Sequence, residues 1–317
     1  MSILYIDKSD CVIGKQDNRI TVKYKDEMVR TIPVESIDGI TLLGHAQVTT
    51  QCIQECLKKG ISLSYFSKGG HYFGRLSSTG HIKATLQRKQ AGLYDQPFAL
   101  ELSKKIIYAK IHNQIVVLKR YSRSTSHNLS DIELHMKSSL RKVNYVKSIE
   151  ELMGYEGSAA KYYFKGLSIC IDDAFKFEGR SKRPPRDAFN SMLSLGYSIL
   201  MNELYGEIEI KGLNAYFGFL HRDAEKHPTL ASDMMEEWRA VLIDEFYSDD
   251  GEGVYISKQA LNKFIKKLEN KFQICQKYLD YIDYPVSFRS AISFQMSSLV
   301  DAIIHEDVSM YSPIMIR

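Results

Sequence analysis

The chain of 317 residues has no apolar run near the roughly 20 residues that a membrane-spanning helix needs, so membrane insertion is not expected. Its opening MSILYIDKSD already contains Asp7 and Asp10, and it lacks the basic, then apolar, then small-residue order of a secretory signal. The expectation is an untargeted cytoplasmic protein. Cysteine is scarce and unpatterned: Cys11, Cys52, Cys56, Cys170 and Cys275 are an odd number without CxxC spacing, which reads as free thiols in a reducing compartment. Cys52 and Cys56 lie one helical turn apart, but structural zinc takes four ligands, and two cysteines on an apolar helix face belong more readily to a core. No internal repeat or low-complexity tract is present, which removes solenoid and fibrous architectures.

What is present is an ordinary globular composition, 44% hydrophobic and 25% charged, in a chain long enough for two domains. The net charge of +4 is modest but uneven. Residues 1–90 hold 13 Lys and Arg against 8 Asp and Glu, while the remainder is nearly balanced. Within that remainder Arg180, Lys182, Arg183 and Arg186 crowd together, and Lys104, Lys105, Lys110, Lys119, Arg120 and Arg123 stud one helical segment. Local basic patches suit a phosphate backbone; long helices also carry solvated lysines without any ligand.

The first eighty or so residues are β-rich. ILYID, VIGKQDNRITVKYK around a polar turn, VRTIPV, IDGITLL and ISLSYF are short, rich in Ile, Val, Thr and Tyr, and punctuated by turn residues. One helix interrupts them, TTQCIQECLKKG, from a threonine cap to Gly60. After about Ala91 the period turns helical, with segments at 98–123, 130–143, 155–178, 186–205, 229–247, 257–281 and 286–306. RSKRPPRD breaks this run, because paired prolines forbid helix continuation. The expected class is α+β, with a β-rich domain over 1–88 and an all-α domain over 89–317.

Gly212–Arg239, GLNAYFGFLHRDAEKHPTLASDMMEEWR, concentrates the chemistry. A helix turns about 100° per residue, so the step from Asp233 to Glu236 puts both acids on one face. HPTL supplies a turn and an N-cap before them, and His221 follows the apolar Gly218-Phe219-Leu220, which points its ring inward. Glu156 in GYEGSAAKYYF shares its stripe with Ala159, Ala160, Tyr163, Phe164 and Leu167. A carboxylate on such a stripe needs a salt bridge, a raised pKa or a metal. Each residue also has a plain reading: a structural ion pair for Glu156, a hydrogen-bonded core histidine for His221, and favourable helix-dipole chemistry for the acids.

GYEGSAAKYYF, RPPRDAFNSMLSLGYSIL and GLNAYFGFLHRDAEKHPTLASDMMEEWRAVLID, in that order, resemble three successive signature blocks of the CRISPR-associated spacer-acquisition integrase family, the larger of the two adaptation proteins. The resemblance covers the chain. It implies an N-terminal β-sandwich that dimerises, a C-terminal helical catalytic domain, and a divalent metal, Mg²⁺ or Mn²⁺, on Glu156, His221 and Glu236. Asp233 corresponds to the neighbouring acid. The last ligand is an aspartate in some branches, and the longer glutamate here shifts the metal slightly. Two dimers flanking a dimer of the small adaptation partner are implied, with DNA as substrate: a prespacer duplex whose 3′-OH ends join the CRISPR repeat by transesterification. Arg180, Lys182, Arg183 and Arg186 are then expected to contact the DNA backbone, and Tyr163 and Asn190 to line the site. The alternatives are core packing for Tyr163 and a helix-stabilising hydrogen bond for Asn190. For the chain as a whole they are a stand-alone metal-dependent nuclease on branched nucleic acid, or a non-catalytic DNA-binding scaffold.

Overall fold

The structure, a computed structural model, describes residues 3–68, 70–171, 175–181, 187–222, 225–244, 258–277 (side chains of 258–261 excepted) and 282–317. Two compact units divide it, Met1–Ile82 and Lys83–Arg317. The division falls a few residues before the expected one at 88, because ATLQRKQ is already the start of a helix, α2 (Ala84–Gly92).

The first unit pairs two four-stranded sheets. One runs β1 (Ile3–Ile6), β5 (Gly39–Leu43), β7 (Ser62–Phe66), β8 (Tyr72–Leu76), and the other β4 (Glu27–Pro33), β3 (Arg19–Tyr24), β2 (Cys11–Gln16), β6 (Gln47–Val48). The second sheet is antiparallel but for a short parallel β2–β6 pair, whereas β1–β5 and β5–β7 are parallel. β5 sits between parallel partners and is buried at every residue, as such strands require. Ile13, Ile20 and Val22 from one sheet and Leu4, Ile40, Leu42 and Leu63 from the other share one core, the expected sandwich. α1 (Thr50–Lys59) begins at Thr49, whose hydroxyl accepts from Cys52 N–H, and ends at Gly60, whose φ of 72° suits glycine. Cys52 and Cys56 are fully buried in that core.

Among the described residues, the second unit is helical apart from a minimal antiparallel pair, β9 (Cys275–Gln276) with β10 (Val286–Ser287). Its axis is α3 (Pro97–Thr125), 29 residues long and entered through a first-turn proline. α3 packs against α4 (Ser130–Val143), α5 (Ile149–Cys170) and α7 (Thr229–Trp238). The remaining helices are α6 (Ala188–Ile210), α8 (Lys258–Phe272) and α9 (Phe288–His305). α7 ends nine residues before its expected limit of 247 and passes into a π-helical turn, Arg239–Ile243. Residues 311–316 then lie along α3. Asn113 donates to the Ile314 carbonyl and accepts from Ile316 N–H, and Lys105 Nζ donates to the carbonyls of Val308 and Tyr311 at 2.8 and 2.9 Å.

Candidate active site

The loop before α7 is built around one buried carboxylate. Asp233, with no exposed surface, accepts backbone N–H bonds from Phe219, Leu220 and His221 at 2.6, 3.0 and 2.9 Å. Its Oδ1 also meets His221 Nδ1 at 2.8 Å. Thr229, expected to help cap α7, ties the loop instead. The N-cap position is Pro228, without a side-chain cap, and the Thr229 hydroxyl accepts from Gly218 N–H and donates to the Tyr216 carbonyl. Gly218 is there because nothing larger fits: an added Cβ would lie 2.8 Å from the Thr229 backbone and 2.9 Å from Asp233 Oδ2.

This stitching fixes the histidine. With Nδ1 held by Asp233, Nε2 is the nitrogen that faces onward, toward Glu236 Oε1 at 3.9 Å. Burial disfavours the imidazolium, but the Asp233 hydrogen bond and the charges of Asp233 and Glu236 outweigh it and raise the His221 pKa. Glu236 is 3% exposed. Burial pushes its pKa up, and Arg239, Lys110 and His221 together pull it down to about 2, so it is a committed anion.

Glu156 reaches the same place from α5. Its companions Ala159, Tyr163 and Leu167 are buried, as the apolar stripe requires, and its carboxylate ion-pairs with Lys110 of α3. Lys110 Nζ also meets Glu236 Oε2, so one ammonium draws both carboxylates together. Arg239 Nη1 lies 3.1 Å from Glu236 Oε1 on its other side. Among the described residues no three His, Cys, Asp or Glu side chains are close enough together to hold an ion as they stand. The donor types nevertheless fit a hard divalent cation: two carboxylates and one imidazole nitrogen oriented by a carboxylate behind it. Two of the three already share a cation.

Behind Glu236 lies a second buried group. Asp244 accepts from Tyr163 at 2.9 Å and from Tyr197 at 2.6 Å, and burial raises its pKa to about 6 against those bonds. The guanidinium groups of Arg180 and Arg239 lie 5.3 and 5.1 Å from the centre of the Tyr197 ring.

Residues 4–270 of the chain match the family described as CRISPR associated protein Cas1. The chain belongs to the Cas1 family. It is 37% identical to "CRISPR-associated endonuclease Cas1" of Mycobacterium tuberculosis, over 95% of this chain and 93% of that protein. To "CRISPR-associated endonuclease Cas1 3" of Thermus thermophilus it is 28% identical, over 100% and 98%. Its fold is similar to that of a Cas1 protein from Thermotoga maritima (TM-score 0.78, 21% identity, 96% and 97% covered). It is also similar to a casposase bound to integration product (TM-score 0.82, 22% identity, 98% and 93% covered).

Of the residues expected at the site, Glu156 and Glu236 share Lys110, His221 Nε2 lies 3.9 Å from Glu236 Oε1, and Asp233 stands behind the histidine with its oxygens already engaged. Tyr163 and Asn190 are corrected. Both have no exposed surface, so neither side chain is available to DNA in this conformation. Asn190 binds the Gly179 carbonyl, Asp187 and Arg180. Arg180 is half-buried in the same network, and Lys182, Arg183 and Arg186 lie outside the described residues. The basic row on α3 is not one exposed patch: Lys105 binds carbonyls, Lys104 pairs with Glu101 at 2.7 Å, Arg120 donates to the Arg317 carbonyl, and Lys110 is inside the site. Lys110, Arg239 and Asp244 were missed. The signal for Arg239 was available, since it follows Glu236 by three residues and an acid–base pair at that spacing shares a helix face.

Proposed function

We propose that this Cas1 protein is a DNA integrase dependent on Mg²⁺ or Mn²⁺ that joins the 3′-OH ends of a short duplex to a CRISPR repeat. The observation that supports the reading is the pairing of Glu156 and Glu236 on one cationic centre, Lys110, with the outward nitrogen of His221 3.9 Å from Glu236 Oε1. Those three side chains would hold the metal. When bound, it would withdraw charge from the scissile phosphate and lower the pKa of the attacking hydroxyl. Asp233 retains the proton on Nδ1, which leaves the Nε2 lone pair free, and Arg239 fixes the free rotation of the Glu236 carboxylate.

In the reaction a 3′-OH attacks phosphorus in line, a new P–O bond forms as the old P–O3′ bond breaks, and the leaving oxygen takes up a proton. One phosphodiester replaces another, with no covalent enzyme intermediate and no external energy. The backbone contacts are assigned to the basic sequence stretch of Arg180, Lys182, Arg183 and Arg186. Relatives named as endonucleases and the fold shared with a casposase bound to integration product support the reading. So does the family's pairing, implied by the sequence resemblance, with a small adaptation protein that bridges two homodimers.

The test is a strand-transfer assay with a 3′-OH duplex, repeat-bearing DNA and Mn²⁺ or Mg²⁺, with and without the small partner. Joined product is expected, and Glu156→Ala or His221→Ala should abolish it while both variants remain folded. Cleaved strands without joined product would replace this reading with a stand-alone nuclease. No product of either kind with either metal would leave a DNA-binding scaffold.

A further inference from the structure

We propose that Lys110 is the resident counter-ion of the site, and that a divalent metal enters by displacing its ammonium from between Glu156 and Glu236. The inference rests on the metal reading above and goes beyond it, because it concerns a residue that is not a ligand. Lys110 is 5% exposed in the middle of α3, and its Nζ contacts both Glu156 Oε1 and Glu236 Oε2. A buried ammonium needs such partners. These two carboxylates are the ones a metal requires.

Charge makes sharing unfavourable. Glu156 and Glu236 carry two negative charges, which Lys110 and Arg239 already balance. A divalent ion added with the ammonium in place would bring two further positive charges into a largely buried pocket whose two glutamates are already neutralised, where repulsion is poorly screened. Arg239 is anchored on Glu236 Oε1 and the face of Tyr197. Lys110 has a flexible four-carbon stem and, among the described residues, hydrogen-bonds only to the two acids, so it is the group that can leave. Its presence also keeps two facing carboxylates from repelling each other before metal arrives.

The test measures Mn²⁺ binding without DNA, by loss of the free-ion electron paramagnetic resonance signal, for the wild type, Lys110→Met and Glu156→Gln. Lys110→Met is expected to bind at least tenfold more tightly than the wild type, and Glu156→Gln more weakly. Without metal Lys110→Met should melt below the wild type and should gain more on adding Mn²⁺. If that variant fails to fold, amine labelling of the wild type gives the same information: Mn²⁺ should raise acetylation of Lys110 severalfold and leave Lys105 unchanged. Equal or weaker binding by Lys110→Met, or unchanged labelling while Mn²⁺ binds, overturns the displacement and leaves the metal site standing. If neither wild type nor Lys110→Met binds Mn²⁺, the metal reading falls and this inference with it.

Discussion

Replacing Asp233 with asparagine removes one acceptor oxygen and keeps the volume, which isolates what the carboxylate does. Asp233 accepts four bonds, two on each oxygen: Phe219 and Leu220 N–H on Oδ2, and His221 N–H and Nδ1 on Oδ1. Asparagine can satisfy only one of these pairs, and its amide NH₂ then faces the two donors of the other. A buried donor left without a partner costs about 1–3 kcal/mol, so Asp233→Asn is expected to lose about 2–5 kcal/mol. At roughly 2–4 °C per kcal/mol for a domain of this size, the melting temperature should fall by about 4–20 °C. When the NH₂ faces the imidazole, Nδ1 must become an acceptor and the proton moves to Nε2, the nitrogen needed by the metal. Mn²⁺ affinity should then fall about 10- to 100-fold, as for other groups behind a ligand. Thermal melting and an Mn²⁺ titration read the two effects separately. A variant that melts within a degree or so of the wild type and binds Mn²⁺ equally well would refute the role given to Asp233.

Three further outcomes are expected. Gly218→Ala should destabilise the protein by about 1–3 kcal/mol and weaken Mn²⁺ binding, because the new methyl group meets the Thr229 backbone and Asp233 Oδ2; chemical denaturation checks the first and titration the second. Tyr163→Phe should cost about 1–3 kcal/mol, since it removes one of the two phenols that bind the Asp244 side chain, and it should leave Mn²⁺ affinity within twofold. Glu237 gives a pH dependence: burial lifts its pKa from 4.5 to about 8, against hydrogen bonds from Tyr311, Ile314 N–H and Gln295. Between those values the folded chain binds more protons than the unfolded one, so Glu237 lowers stability as pH rises, by up to about 1.4 kcal/mol per pH unit. Glu237→Gln should remove that slope from unfolding free energies measured between pH 5 and 8; an unchanged slope would refute the assignment.

Much of this was readable from the residues. The Ile-, Val-, Thr- and Tyr-rich segments of β1–β5 and β7 mark strands, but composition says nothing of direction, and the parallel pairing of β5 became visible only in the fold. α4 was expected at 130–143 and runs Ser130–Val143. α5 begins several residues before its expected start at 155; the cue was SIEE, where Ser148 caps the helix by accepting from Glu151 N–H. Glu156 could be placed because an anion on an apolar stripe demands a partner, yet the partner itself could not. Lys110 reads like any solvated helix lysine, and only the packing of α3 against α5 and α7 turns it inward. Asp233 and Glu236 are equivalent acids in sequence, and what separates them is the loop backbone that Asp233 gathers, a contact formed across the chain reversal at 218–229.

The central claim is that Glu156, His221 and Glu236 form one divalent-metal site. Crystals of the protein soaked in Mn²⁺ test it through anomalous scattering. One peak per chain is expected, about 2.0–2.3 Å from a carboxylate oxygen of Glu156, one of Glu236 and His221 Nε2, with the Lys110 ammonium moved out from between the acids. No peak at that position, with Lys110 still bridging the two carboxylates at saturating Mn²⁺, would contradict it.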